Sequence, residues 1–159
     1  MGTILRFEDL FAWQKARELA RVVFGYTTHG SFARDARLVG QIRASSESGM
    51  SNITEGFERG GTAEFRHFLS IAKSSVGEVS SQLYTALDRG YITQAEFQVS
   101  QDLATDALNL IGGLDRYLLS CEFRGVKFRP PKPPRPPKPT RRPKPPKPPP
   151  PRPHPPPDP

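Results

Sequence analysis

The chain has 159 residues and carries 23 Lys+Arg against 16 Asp+Glu, a formal net charge of +7. Neither figure describes the whole, because all 19 prolines lie from Pro130 onward. Residues 1–128 hold 14 Lys+Arg and 15 Asp+Glu, whereas residues 129–159 hold nine Lys+Arg and one Asp. The basic pI of about 9.9 therefore belongs to the tail and not to the part able to fold. We expect one domain over residues 1–128 and a basic proline-rich extension over 129–159. One cysteine, Cys121, excludes an intramolecular disulfide and fits a reducing compartment. The start MGTILRFEDL has no charged-then-apolar leader, and no apolar run is long enough to span a membrane, so a cytoplasmic protein is expected.

A proline-free stretch favours long helices. The first is predicted over Leu10–Tyr26, with Asp9 as cap and Phe7 as an apolar anchor. Its stripe is Leu10, Trp13, Ala16, Ala20 and Val23, and Gly30 is a stop signal. The second runs over Ala33–Phe57, with a stripe of Leu38/Val39, Ile42, Ser46, Gly49/Met50, Ile53 and Phe57. Its middle is rich in serine, alanine and glycine, poor material for an isolated helix, which suggests close approach of a neighbour. The third runs over Ala63–Arg89 with Thr62 as cap and a stripe from Phe65 to Leu87. Gly90 stands where a left-handed residue ends a helix. Thr93-Gln94-Ala95-Glu96 is a capping box opening the fourth, with Ile92 and Phe97 as a hydrophobic staple. Short connections place successive helices antiparallel, so the fold class is all-α: an up-down-up-down four-helix bundle.

Between helices 2 and 3 lies SNITEGFERGG, Ser51–Gly61. Asn52, Glu55, Gly56 and Arg59 recur at three- and four-residue steps on one side. Two readings fit. Glu55 and Arg59 form an i,i+4 pair while Asn52 satisfies nearby backbone, or the group is a polar patch at the bundle end or a subunit interface. Gly60-Gly61 supplies the reversal.

The segment from Leu38 to Ile92, with FEDLFAWQKARELA before it, resembles the bacterial four-helix bundle proteins first noticed in intervening sequences of large-subunit ribosomal RNA genes. The resemblance covers about residues 6–120 and rests on Gln41, Ile42, Arg43, Ser51, Asn52, Ile53, Glu55, Gly56, Arg59, Glu64, Phe65, Phe68, Leu69, Ile71, Ala72, Ser75, Glu78, Gly90, Tyr91 and Ile92. It implies a ring of five bundles with no enzymatic activity. The accessory variability proteins of diversity-generating retroelements, which bind a reverse transcriptase and its RNA, are similar in fold and assembly. Two positions depart from the family pattern. Ala44 replaces the second arginine of the usual QIRRA, and Met50 replaces a common proline. The lost cation, with the folded part's net charge of −1, argues against a basic surface on the bundle itself.

The tail is more ordered than its composition. Arg129, Lys132, Arg135, Lys138, Arg141, Lys144 and Lys147 occupy every third position, with Arg142 and Arg152 out of register. Polyproline II has three residues per turn, so these seven would line one edge about 9 Å apart. That geometry suits RNA or DNA phosphates, read without sequence preference, since the tail has no aromatic residue to stack on bases. Arg43 and Arg59 are further candidates for phosphate contact. The tail also reads as a solubilising extension, as a ligand for proline-recognition domains through recurrent PxxP, or as a segment drawn to an anionic membrane surface without an apolar anchor.

Catalysis and cofactors find little support. Histidine occurs only at positions 29, 67 and 154, and Glu64-Phe65-Arg66-His67 is a lone Glu-x-x-His where a di-iron bundle needs two. No serine has a defensible histidine–carboxylate pattern, and no glycine-rich phosphate loop is present. No metal or cofactor is expected, and Cys121 reads as a small core residue.

Overall fold

The structure, a computed structural model, describes residues 4–120. Among these, four α-helices carry the fold and no strand occurs: α1 (Phe11–Tyr26), α2 (Ala36–Arg59), α3 (Thr62–Asp88) and α4 (Gln94–Ser120). Single 3-10 turns, Phe7–Asp9 and Phe32–Arg34, precede α1 and α2. Each helix packs on its sequence neighbours, and α1 closes the square against α4. The Tyr26 hydroxyl at the end of α1 donates to the Glu96 carbonyl at the start of α4, 3.3 Å away, so these helices are antiparallel too. The up-down-up-down arrangement expected from short connections is the one found.

The core follows the helical period. Leu19, Val23, Ile42, Ile53, Leu69, Val76, Val79, Leu83, Ala107 and Ile111 are all but inaccessible to solvent. Full burial of the leucine, valine and isoleucine side chains among them contributes about 1.5–3 kcal/mol each. In α1 the buried line is Ala12, Ala16, Leu19 and Val23, and Trp13 lies at its margin, half-buried against the Phe7 ring. The stripe is thus rotated from the one expected, because α1 must face both α2 and α4.

The helix ends differ from expectation in instructive ways. Asp9 lies inside the 3-10 turn; Leu10 occupies the cap position of α1 and makes no side-chain cap bond. Helix α2 starts at Ala36, not Ala33, because Asp35 caps it by accepting the Leu38 amide at 3.1 Å. Phe32, in the short turn before it, is buried and stacks on Tyr91 with centroids 5.2 Å apart. Thr62 is the first residue of α3, and Gly61 is the cap. At the other end of α3, Gly90 has φ 67°. Its amide reaches the Leu87 carbonyl and that of Tyr91 reaches Ala86, both at 2.9 Å. This is the Schellman pattern, which satisfies carbonyls the helix leaves open. The capping box holds as read: the Glu96 carboxylate accepts the Thr93 amide at 2.7 Å, and Thr93 Oγ1 accepts the Glu96 amide at 3.2 Å.

Candidate functional site

Helices α2 and α3 pack most intimately, and the SNITEGFERGG residues show why. At Gly56 an added Cβ would lie 2.7 Å from Phe65 Cδ2 and 2.8 Å from Phe68 Cβ. At Gly49 it would meet Val76 Cγ2 at 3.0 Å. The two glycines, seven residues apart on one face of α2, let the helix backbones approach. The small-residue richness of α2 is therefore a packing surface.

Beside this contact runs a polar seam. On α2 it uses Ser45, Ser48 and Asn52; on α3 it uses Ser75, Glu78 and Gln82. The Asn52 amide donates to the Ser48 carbonyl at 2.8 Å and to Ser48 Oγ at 3.0 Å. Ser48 Oγ and Ser75 Oγ lie 2.9 Å apart, and Ser75 Oγ donates to the Ile71 carbonyl at 3.0 Å. Since Ser75 spends its proton on Ile71, Ser48 must donate to Ser75, and the seam is a one-way chain of donors. One turn away, Ser45 Oγ donates to Glu78 at 3.0 Å and accepts from Gln82 Nε2 at 3.3 Å. Buried polar groups need such partners, and pairing them across two helices fixes the helices' register. Sequence reading missed Ser45, Ser48 and Gln82; the three- and four-residue spacing of serines along α2 was the available signal.

The two bundle arginines named as phosphate candidates both have partners within the bundle domain, Arg43 part-buried and Arg59 on the surface. Arg43 is half-buried. Its Nε donates to Thr27 Oγ1 at 2.7 Å, its Nη2 to the Thr27 carbonyl at 3.2 Å, and its guanidinium lies 4.4 Å from the Phe24 ring centroid. It thus caps the C-terminus of α1 with a cation, where the helix dipole favours one. Arg59 pairs with Glu55 at 2.7 Å and covers the Phe68 ring at 5.3 Å. Of the two readings of Asn52, Glu55 and Arg59, the local helical one describes their contacts. Arg129, Lys132, Arg135, Lys138, Arg141, Arg142, Lys144 and Lys147 lie outside the described residues, as does Cys121.

At the far end of the bundle Asp35 joins three elements. Besides capping α2 it accepts from Arg89 at 2.5 Å and from the Tyr91 hydroxyl at 3.1 Å. The Leu38 amide, then Tyr91 and Arg89, hold its carboxyl below the usual carboxylate range against the opposing effect of desolvation. On the α3–α4 side, Ser80 donates to Gln101 Oε1 at 2.6 Å while Gln101 Nε2 donates back to the Ser80 carbonyl at 2.9 Å. Arg66 meets Asp115 at 2.8 Å.

His67 of the lone Glu-x-x-His is exposed, edge-on to Phe68, and Glu64 is exposed too. No group of three or more His, Cys, Asp or Glu able to hold a metal occurs among the described residues. No helix among them is long and apolar enough to cross a membrane.

A closed antiparallel bundle, whose second and third helices meet through glycines and a serine seam, is a narrower class than four helices alone. The sequence profile of the 23S rRNA-intervening sequence protein family matches residues 8–113, and the chain belongs to that family. The fold is also similar to a crystal structure from Bacteroides thetaiotaomicron, described as a protein with unknown function from the S23 ribosomal protein family. That likeness has a TM-score of 0.61 at 24% identity and covers 66% of this chain and 98% of that one. No curated protein matches the sequence.

Proposed function

We propose that the protein is a non-enzymatic, homo-oligomeric accessory protein that holds RNA or DNA through phosphate contacts made by its C-terminal tail. The observation that carries this reading is the register of the seven cations from Arg129 to Lys147, one at every third residue of a proline-rich chain. Proline keeps such a segment extended, so little entropy is lost when it lies along a polyanion. The occupied state of Arg43 and Arg59 supports placing the contact in the tail, with the bundle as the platform. Resemblance to ring-forming relatives favours five copies, which would multiply weak tail contacts by avidity. A reverse transcriptase with its RNA is the partner the same resemblance favours.

The test is binding of single-stranded RNA across a salt series. If all seven cations engage, the logarithm of affinity should fall against that of salt with a slope of about −5. A full-length variant with the seven replaced by glutamine should lose most of the affinity and nearly all of the salt dependence. Equal binding by both chains would refute the proposal. The repeated PxxP with flanking cations supports a second reading, recruitment of a protein with a proline-recognition groove. Salt-insensitive capture of such a domain, with no RNA binding, would favour it.

A further inference from the structure

Exposed apolar side chains gather at one end of the bundle. Leu5, Phe11, Tyr117 and Leu119 all lie where α1 begins and α4 finishes, and Phe11 and Leu119 are 73% and 65% exposed. The bond from Tyr26 to Glu96 sets Phe11 level with about residue 111, so about two turns of α4 run past the start of α1. The 3-10 turn before α1 leans on α2. The pairs Ser80–Gln101 and Arg66–Asp115 share one register between α3 and α4. That register brings Leu119 level with Thr62, and the end of α4 level with the Gly60–Gly61 turn. Leu119, four residues beyond Asp115, leans to the same side of α4. Across the turn Phe57, in the last turn of α2, is only half-buried, edge-on to the Phe65 ring.

The chain carries its own cover for this end. Residues 121–128, CEFRGVKF, stand between α4 and the proline-rich sequence. Cys121 and Phe123 alternate with Glu122 and Arg124, Val126 and Phe128 stand either side of Lys127, and Gly125 separates the two runs. Alternation gives an extended chain one apolar side, and glycine permits the bend that keeps both runs on it. Eight residues reach up to about 27 Å, against about 8–10 Å between packed helix axes. Charge matches as well. Glu58 and Glu64 stand on either side of the Gly60–Gly61 turn, and neither forms an ion pair among the described residues. Arg124 and Lys127 bring the opposite sign. Leu5, Tyr117, Leu119 and residues 121–128 all fall outside residues 8–113 of the family profile, so the surface and the segment occur together as this chain's own additions to the profiled stretch.

We infer that residues 121–128 fold back over this end of their own bundle, setting Phe123, Val126 and Phe128 against Leu5, Phe57 and Leu119. The segment begins directly after the last turn of α4, so its local concentration at this surface far exceeds that of a second copy or of another protein. The folded domain then ends at Phe128 and not at Ser120. The first cation of the tail register, Arg129, leaves the bundle beside the Gly60–Gly61 turn. The inference stands whether or not the tail holds nucleic acid, and whatever the number of subunits.

The test is limited digestion of the full-length chain by trypsin, followed by intact-mass spectrometry. Trypsin does not cut before proline, so beyond Ser120 only Arg124, Lys127 and Arg141 offer a bond to it. Arg141, far along the proline-rich sequence, is the internal reference. Cutting at Arg124 and Lys127 should be at least about tenfold slower than at Arg141, because a docked bond is cut only while the segment is lifted away. A chain carrying both Leu5→Gln and Leu119→Gln should cut at all three positions at rates within about threefold of one another. Both substituted side chains are exposed and neither adjoins a bond being cut, and an unchanged helical spectrum confirms that the variant is folded. Equal rates at the three positions in the wild type would overturn the inference, as would protection that the double substitution leaves intact. Protection that disappears on dilution would put the segment on a second copy and overturn it too.

Discussion

Gly56→Ala is the sharpest test of how α2 and α3 pack. The new methyl would lie 2.8 Å from Phe68 Cβ and 3.3 Å from Phe65 Cα, atoms fixed by the α3 backbone, and 2.7 Å from Phe65 Cδ2, which can swing away. Carbon atoms prefer about 3.5–4.0 Å, so the helices must part by nearly 1 Å here. Overpacking of this kind costs about 1–3 kcal/mol. Against it stands the helix-forming advantage of alanine over glycine, about 1 kcal/mol. The expected net loss is about 1 kcal/mol, a fall in Tm of roughly 3–6 °C for a domain of this size. Gly77 provides the internal comparison. It is exposed in the middle of α3, and a Cβ there meets nothing within 4 Å. Gly77→Ala should collect the propensity term alone and raise Tm by a similar amount. Thermal unfolding followed by far-UV circular dichroism reads both variants side by side. If Gly56→Ala stabilises the protein as much as Gly77→Ala does, the close approach is not what selects glycine at position 56, and the packing argument fails.

Arg43→Ala should cost about 2 kcal/mol by urea unfolding, since it removes two hydrogen bonds to Thr27 and the contact with Phe24. Its RNA affinity should match the wild type at the same salt. Arg59→Ala breaks an exposed i,i+4 pair and should change stability by no more than about 0.5 kcal/mol in the same assay. Asp35 titrates low in the folded chain, so the stability it adds is complete above the ordinary carboxylate pKa of about 4. That stability fades as pH falls through the lower folded value. Asp35→Asn keeps a cap acceptor and loses the charge, so it should unfold more easily than the wild type at neutral pH, and the gap should close in acid. A gap that widens on acidification would contradict the assignment. Glu96→Ala breaks the capping box at the start of α4 and should destabilise by about 1 kcal/mol, read as a lower Tm.

The number of helices, their order and two of their three connections were legible in the sequence, because each depends on chemistry within a few residues. The capping box at Thr93 and the left-handed glycine at Gly90 need no tertiary partner to be recognised. The antiparallel arrangement follows from connections short enough to favour it between successive helices. Where a helix begins was less legible when distant residues took part: α2 starts after Asp35 and not at Ala33, and Asp35 is held by Arg89 and Tyr91 from across the bundle as well as by the Leu38 amide. The identity of the core face of α1 was likewise undecided, since Trp13 and Leu19 lie on overlapping helical stripes and only the positions of α2 and α4 choose between them. Arginine 43 is the plainest case. A cation on a helix near a turn reads as available to a ligand, and nothing local reveals that the end of α1 lies within its reach. Composition and period thus determined that the described residues make a four-helix bundle and that the chain's excess positive charge lies in the proline-rich sequence after residue 128. Which polar side chains are used up in holding that bundle, and which remain exposed for another molecule, was decided by helices meeting across long separations in sequence.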